Sequence, residues 1–179
     1  VLTLFVGVTT GAPISGTSRV SANAKSPVTG AIGDAQAGGF WPVELKAAGF
    51  EGIVIKGRAP KPVYLWIHDG EVEIREASHL WGKVTGEAED IIKAERGDPK
   101  VEVLQIGPAG EKMVRYAAIM NMCNRANGRT GMGAVMGSKN LKAVVVRGTK
   151  GRPPIKDRET LSQLAKWGAQ RFPQSDVAP

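Results

Sequence analysis

The sequence predicts an α+β fold built from antiparallel strands and short helices. The strongest local signal is a β-hairpin over residues 62–75, in which apolar residues flank Asp69-Gly70, a dipeptide that favours a type I′ turn. The second observation is an internal repeat, because the strand motif at 52–57 returns at 142–148, with its closing glycine 91 positions further on. The third is that hairpins and short helices replace the regularly alternating long helices of a doubly wound parallel sheet.

Hydrophobic patterns and turn signals predict these elements in the first half: a strand at 1–8, a strand at 20–25, a glycine-centred loop at 35–41, a helix at 43–48 and a buried strand at 52–57. In the second half they predict the hairpin and then a helix that begins with an N-cap at Thr85, runs to Arg96 and ends at Gly97. Strands at 101–106 and 114–120, joined by residues 107–110, follow, and the last predicted strand is at 143–147.

The upstream parts of the two halves also look alike. Gly11 stands eight positions before Arg19, and Gly107 stands eight before Arg115, so each pair is predicted to span a turn that enters a strand. Each half is therefore predicted to contain, in this order, a strand, a turn, an arginine, a strand, a glycine loop, a helix and a strand. Two related glycine loops indicate two related ligands or two halves of one symmetric ligand, and chance similarity between glycine-rich segments is the alternative.

The second glycine loop, residues 125–142, has the composition of an anion-binding site. Four glycines, at 128, 131, 133 and 137, permit close approach of the backbone to a ligand, and Arg125 and Arg129 offer bidentate donors to phosphate oxygens. A short helix beginning near Ala134 would present free N–H groups to the same ligand. A dinucleotide-binding interpretation of 131–137 is the alternative, and it requires a parallel sheet with alternating helices.

Composition limits the classes of function. The chain has 179 residues, 42% hydrophobic and 23% charged, which is typical of a globular protein, and no segment has the pattern of a membrane span. The formal charge of +7 favours anionic partners, but the basic residues are dispersed without stacking aromatic residues, so we expect no nucleic acid. One cysteine, Cys123, and two histidines exclude a disulfide framework or a Cys/His metal centre built from this chain alone. Cys123 and His79 are interpreted as structural.

The composition changes after Gly148. Residues 149–154 are a predicted linker, and Asp157 is the predicted cap of an amphipathic helix with an apolar side at Leu161, Leu164, Trp167 and Phe172, followed by an open end at 173–179. That apolar side either packs on the first domain or belongs to a following one. We therefore divide the chain into a domain at 1–150 and a linker with a first helix at 151–179. Since a strand is already under way at Val1, we expect a piece of a longer polypeptide.

Several separate motifs together carry a family resemblance. They are Lys25–Gly30, Gly38–Phe40, Glu44–Gly49, Lys61–Tyr64, Ala77–Gly82, Ile106–Glu111 and Gly128–Ala143. In these blocks, over roughly residues 8 to 157, the chain resembles the N-terminal domain of the tungsten-containing aldehyde ferredoxin oxidoreductase family. The resemblance implies two β-sheets related by a pseudo-twofold axis, with one glycine loop for each of two pterin cofactors that hold tungsten or molybdenum.

The resemblance also implies roles for individual residues. Arg19, Gln36 and Gly38 would contact the cofactor from the first half, and Arg125, Ala126, Gly128 and Arg129 from the second. The backbone carbonyls of residues 36 and 126 would face a magnesium ion that bridges the two pterin phosphates. Position 36 has Gln where the family pattern has Asn, and Asn124 and Asn127 replace a His and a small residue, which indicates a divergent subgroup. A main-chain carbonyl is unaffected by such a change.

For the whole enzyme, the resemblance implies oxidation of an aldehyde to a carboxylate at tungsten and transfer of electrons through a [4Fe-4S] cluster to ferredoxin or another electron-transfer subunit. The cluster and the acid-base residues belong to the family's C-terminal domains, so no catalytic residue is assigned to this chain, and we expect it to be inactive by itself. A catalytic subunit of a benzoyl-CoA reductase is the alternative within the family. A homodimer and a cytoplasmic location are further expectations.

Overall fold

The computed structural model describes residues 1–176, so the end of the predicted open tail, residues 177–179, lies outside the described residues. The elements in chain order are β1 (Leu2–Val6), β2 (Val20–Lys25), β3 (Ile32–Ala37), α1 (Trp41–Ala47), β4 (Gly52–Ile55), β5 (Val63–His68), β6 (Glu71–Glu76), a 3₁₀ turn (Ser78–Leu80), α2 (Thr85–Arg96), β7 (Glu102–Gln105), α3 (Pro108–Glu111), β8 (Ile119–Asn121), β9 (Arg125–Asn127), α4 (Met132–Gly137), β10 (Leu141–Arg147), α5 (Arg158–Arg171) and a second 3₁₀ turn (Phe172–Gln174).

The α+β prediction and the internal duplication are confirmed by the order of the strands. The first sheet has the order β3-β2-β1-β4, and the second contains β9-β8-β7-β10 in the same arrangement, with β5 and β6 added beyond β10. All pairs are antiparallel except β5 with β10. The described residues therefore do not form the parallel sheet that a dinucleotide-binding domain requires.

Strand register tests the two parts of the predicted repeat separately. Ile53 lies opposite Leu4, and Val144 lies opposite Leu104, so the closing strands correspond with the displacement of 91 positions seen in the sequence. The prediction that the two glycine–arginine pairs occupy equivalent positions in the two halves is wrong. Val20 and Ile119 are the matching residues that begin β2 and β8, so Arg19 corresponds to Ala118 and not to Arg115.

The two halves interlock through their helices. Helix α1 of the first half packs on β7 and β10 of the second sheet, and α4 of the second half packs on β1, β2 and β3 of the first sheet as well as on β8 and β10 of its own. The buried indole of Trp41 donates a hydrogen bond from Nε1 to the carbonyl oxygen of Val144 at 2.8 Å. Because each helix covers the sheet of the other half, neither half buries its apolar face alone.

The predicted hairpin is β5 and β6. Asp69 and Gly70 have φ values of +46° and +98°, the positive values that a type I′ turn requires at both central residues. On the other face of the second sheet, α2 packs Ala88 and Ile92 into a second buried cluster, and Gly97 ends this helix in the left-handed conformation.

Both predicted glycine loops contain a strand that the sequence pattern concealed. Residues 35–37 complete β3, and residues 125–127 form β9. The two stretches consist of small or polar residues that lack β propensity, so pairing with β2 and β8, rather than local preference, produces the extended backbone.

Two boundaries are corrected. Thr85 is the first residue of α2, and the N-cap is Val84, whose backbone is extended and whose side chain makes no capping bond. The strand predicted at 114–120 begins only at Ile119, because consecutive turns precede it: Val114 N–H donates to Ala109 O at 2.9 Å, and Ala117 N–H donates to Val114 O at 2.8 Å.

The C-terminal helix α5 starts as predicted, with Asp157 Oδ1 accepting a hydrogen bond from Thr160 N–H at 2.9 Å. None of its residues is buried, and Leu164, Trp167 and Phe172 are each more than half exposed. Across residues 1–176, every helix is too short or too polar to cross a lipid bilayer.

Candidate functional site

The site is a cavity at the line where the two sheets meet. Edge strand β3 of the first sheet contacts edge strand β9 of the second, and beside them lies a cavity of about 510 Å³. Its lining residues are Asp34, Ala35, Gln36, Ala126, Gly128 and Arg129. Four of the seven predicted site residues, from two distant parts of the sequence, therefore share one cavity.

Gln36 and Ala126 occupy corresponding positions of the duplicated halves. Gln36 lies opposite Ser21 on β2, and Ala126 lies opposite Met120, the residue at the matching position of β8. Two ligands related by the duplication would therefore contact equivalent backbone positions, one on each edge strand.

Two buried asparagines fasten the two sheets together. Asn127 Nδ2 donates to Ala35 O at 2.7 Å and to Val20 O at 3.3 Å, and Asn121 Nδ2 donates to Gly38 O at 3.1 Å. Both side chains are fully buried, and among residues 1–176 neither Oδ1 atom has a hydrogen-bond partner. Asn127, noted above as a departure from the family pattern, thus joins the two halves.

The glycines of the second loop do not all act as predicted. A Cβ atom on Gly131, Gly133 or Gly137 would stand 1.9 to 2.4 Å from backbone oxygens of the segment 110–118, so these three glycines let α4 approach the chain's own backbone. Only Gly128 has open space, with the nearest contact 3.7 Å away.

The predicted anion site at the start of α4 is also wrong. The N–H group of Gly133 donates to Ala117 O at 2.9 Å, and Met132 to Ala134 are buried. This helix terminus is therefore satisfied inside the protein.

The arginines are exposed and available. In the described part of the chain, Arg19, Arg125 and Arg129 form no ion pair and donate no side-chain hydrogen bond. Arg129 lines the cavity, whereas Arg125 is the first residue of β9 and Arg19 directly precedes β2. Gly38 directly follows β3. These last three residues flank the cavity without lining it.

Asp34 is a site residue that sequence reasoning missed. Its carboxylate accepts hydrogen bonds from Ser21 Oγ at 2.5 Å, Asn23 Nδ2 at 2.9 Å and Gln36 Nε2 at 3.4 Å. These bonds, that of Ser21 foremost, hold the pKa of Asp34 below its ordinary value, against the opposing effect of desolvation. The available signal was the spacing of polar residues two apart on facing strands, at 21 and 23 and at 34 and 36.

Comparison with known proteins identifies the family. The family model described as aldehyde ferredoxin oxidoreductase, N-terminal domain, matches residues 1–148. The chain belongs to this family. Tungsten-containing aldehyde ferredoxin oxidoreductases from Thermococcus kodakarensis and Pyrococcus abyssi are 52% and 48% identical over 96% and 93% of the chain, which spans only 29% and 28% of their length.

A solved structure is also similar to this aldehyde ferredoxin oxidoreductase domain. It is the active site complex BamBC of benzoyl coenzyme A reductase with 1,5-dienoyl-CoA, which matches 99% of the chain with a TM-score of 0.91 and 41% identity, over 27% of its own chain. The WOR-like subunit of an aliphatic sulfonate oxidoreductase from Pyrococcus furiosus is 42% identical over 83% of the chain. Relatives of this domain therefore carry names for several different substrates.

In this aldehyde ferredoxin oxidoreductase domain, Cys123 and His79 lie outside the cavity lining. Cys123 Sγ donates to Glu89 Oε2 at 3.4 Å, and burial raises the pKa of the thiol, which keeps it protonated. His79 Nε2 lies 2.6 Å from Glu95 Oε1. No group of three potential metal-binding side chains occurs in the described residues.

Glu102 gives the stability of the protein a pH dependence. Burial raises the pKa of Glu102 from 4.5 to about 7, and its Oε2 atom has no hydrogen-bond partner within residues 1–176. The folded protein therefore holds this proton more tightly than the unfolded chain, so the contribution of Glu102 to stability is greatest below pH 4.5 and is lost as the pH rises through about 7.

We expect Glu102→Gln to remove this loss, so that the variant gains thermal stability relative to the parent as the pH rises from 5 to 8. Melting temperatures measured by calorimetry across this range check the prediction, with Glu71→Gln, an exposed carboxylate, as the control. Parallel pH profiles for Glu102→Gln and the parent would contradict it.

Proposed function

We propose that the cavity between β3 and β9 binds the phosphate ends of a bis-pterin cofactor that carries tungsten or molybdenum. One observation carries the proposal: Gln36 and Ala126 line a single cavity from corresponding positions of two duplicated edge strands. A symmetric pair of phosphorylated ligands is the natural occupant of such a duplicated site.

The residues present fit these phosphates. Arg129 in the lining and Arg19 and Arg125 at its flanks lack acidic partners among the described residues, so their guanidinium groups are free to pair with phosphate oxygens. The open space at Gly128 lets a phosphate come close to the backbone. Gly38 would act in the same way beyond β3.

The same cavity fits a divalent cation. Asp34 places a carboxylate, oriented by three hydrogen bonds, in the lining, and this negative charge would repel phosphates unless a cation lay between them. Carboxylate and backbone carbonyl oxygens are the ligands that magnesium accepts, together with phosphate oxygens and water. We therefore propose that magnesium binds here, with the backbone carbonyls of Gln36 and Ala126 as its protein ligands.

When bound, the metal–pterin group supplies two-electron oxidation of an aldehyde to a carboxylate. The residues of this chain have other tasks. The arginines neutralise the phosphates, Gly128 permits their close approach, and Asn121 and Asn127 join the two sheets beside the cavity. We assign no proton transfer to any residue of the chain.

A benzoyl-CoA reductase subunit is the second candidate function. The TM-score of 0.91 with the complex named for that reaction favours it, and the proposed phosphate site serves both reactions equally. For the whole enzyme we also propose a [4Fe-4S] cluster, ferredoxin or another electron-transfer subunit as partner, a homodimer and a cytoplasmic location. We further propose that the 179-residue chain alone does not oxidise aldehydes.

The test uses pyrophosphate as a probe for the phosphate site. We expect Arg129→Gln to weaken binding of magnesium pyrophosphate to the 179-residue chain about tenfold, because a charge-assisted bidentate contact is lost. Gly128→Val should weaken it further by filling the approach to the backbone. Isothermal titration calorimetry measures both effects.

Arg115→Gln is the matched control, since it removes the same charge from an exposed arginine outside the cavity lining. Equal losses for Arg115→Gln and Arg129→Gln would mean that pyrophosphate responds only to net charge. That result would overturn the proposed site.

A further inference from the structure

A second pocket lies beneath the two strands that break the duplication. Strands β5 and β6 extend the second sheet beyond β10, and the first sheet, as described, has no strands in the corresponding position. Between this extension and the segment 56–59 that follows β4 lies a pocket of about 270 Å³. We call it the overhang pocket. It shares no lining residue with the cavity between β3 and β9.

The floor of the overhang pocket is apolar. It is formed by Val63 and Leu65 of β5, Ile74 of β6 and Leu141 of β10, with Ile55 at the end of β4. Ile74 is a large aliphatic residue of the lining and is 72% exposed, so the pocket is open to solvent on this side. Aliphatic surface of this kind favours a hydrocarbon group as the occupant.

The rim of the overhang pocket is basic. Lys56, Arg58 and Lys139 line it, and none of its described lining residues is acidic. Lys139 is only 9% exposed, and its ammonium group has a single hydrogen bond, to Gly57 O at 2.9 Å. In the described part of the chain no carboxylate lies within ion-pair distance of it. Since an ammonium group has three donors and lysine is seldom buried without a partner, Lys139 has capacity for an anion.

Hydrogen bonds between the two segments that carry these cations hold them in place. Ala59 N–H donates to Lys139 O at 3.1 Å, Asn140 Nδ2 donates to Ala59 O at 2.8 Å, and Arg58 Nη2 donates to Asn140 Oδ1 at 3.4 Å. The segment that carries Lys56 and Arg58 is thus fastened to the segment that carries Lys139. A rim that is ordered before a ligand arrives loses less entropy on binding.

We propose that the overhang pocket binds an aliphatic carboxylate. The carboxylate would pair with Lys139 at the rim, beside Lys56 and Arg58, and the hydrocarbon chain would lie on Leu65 and Ile74. The volume of about 270 Å³ leaves room for a short hydrocarbon chain. The proposal does not rest on cofactor binding, because the two cavities share no lining residue.

Hexanoate is the probe, titrated into the 179-residue chain by calorimetry. We expect hexanoate to bind about tenfold or more tightly than acetate, which lacks the chain, and than hexanol, which lacks the charge. Lys139→Met, which keeps the aliphatic stem, should weaken hexanoate binding by a similar factor. Lys100→Met removes an exposed lysine outside the pocket and should leave it unchanged.

Two results would overturn the proposal: hexanoate that binds no better than acetate, or equal losses for Lys139→Met and Lys100→Met. If circular dichroism shows that Lys139→Met does not fold, Ile74→Asn decides the question. This exposed position tolerates the change, and a polar floor should cost hexanoate its advantage over acetate while leaving acetate binding the same. An unaltered ratio of the two affinities in Ile74→Asn would refute the role of the floor.

Discussion

Lys142→Met should lower the free energy of unfolding by about 3–5 kcal/mol, because it leaves a buried carboxylate without its cation. The Lys142 side chain is 0% exposed and that of Glu111 is 4% exposed, and the two form an ion pair. Lys142 Nζ also donates to Lys83 O at 2.9 Å, and Glu111 Oε2 accepts from Gly82 N–H at 2.7 Å. The pair therefore ties β10 and α3 to the segment before α2.

Equilibrium denaturation in urea measures this effect. Lys112→Met, at an exposed lysine beside Glu111, is the control and should change the unfolding free energy by less than about 0.5 kcal/mol. The double variant Lys142→Met/Glu111→Met should regain part of the loss, since both charges are then absent. A single variant as stable as the control would show that the ion pair contributes little.

Gly131→Ala is the second change with a large expected effect, a loss of roughly 3 kcal/mol or more. Gly131 has φ +75°, and a Cβ atom there would lie 1.9 Å from Arg115 O and 2.8 Å from Pro27 Cγ. The strained backbone and the clash with a rigid carbonyl act together. Because Gly131 joins the loop of Arg129 to α4, weaker binding of magnesium pyrophosphate should accompany the loss of stability.

Gly97→Ala separates the two causes. Gly97 also has a positive φ, +66°, but no atom lies within 4 Å of the position of a Cβ, so only the backbone strain is added. Gly97→Ala should lower the free energy of unfolding by about 1 kcal/mol, about a third of the loss expected for Gly131→Ala. Thermal and urea denaturation of both variants check the difference, and equal losses would contradict the clash with Arg115.

Local chemistry made several elements predictable. Asp69-Gly70 is a residue pair that favours the positive φ values of its turn, and Asp157 caps α5 by bonds to Thr160 only three residues away, so both signals are local. The closing strands of the repeat were also visible, because Gly52–Ile55 and Leu141–Arg147 keep similar aliphatic sequences. Four of the residues that line the cavity between β3 and β9 had been given cofactor roles only because the chain resembles a known family.

Other features depended on pairing that spacing along the chain does not encode. The eight-residue interval to Arg115 resembled that to Arg19, but the register of β8 matches Arg19 with Ala118. Asp34 belongs to the cavity because β3 contacts β9 from the other half of the sequence, and the alternating polar residues of β2 and β3 do not encode that contact.

The fold class, the duplication, the hairpin and the family could all be inferred from the sequence, since each depends on residue types at short or repeated spacings. The packing of the chain was needed to tell which glycines of the second loop meet backbone and which face open space. A glycine looks the same in a sequence whether it admits a phosphate, as proposed for Gly128, or the carbonyl of Arg115, as at Gly131. The difference is the identity of the atom that approaches it, and that atom comes from another part of the chain.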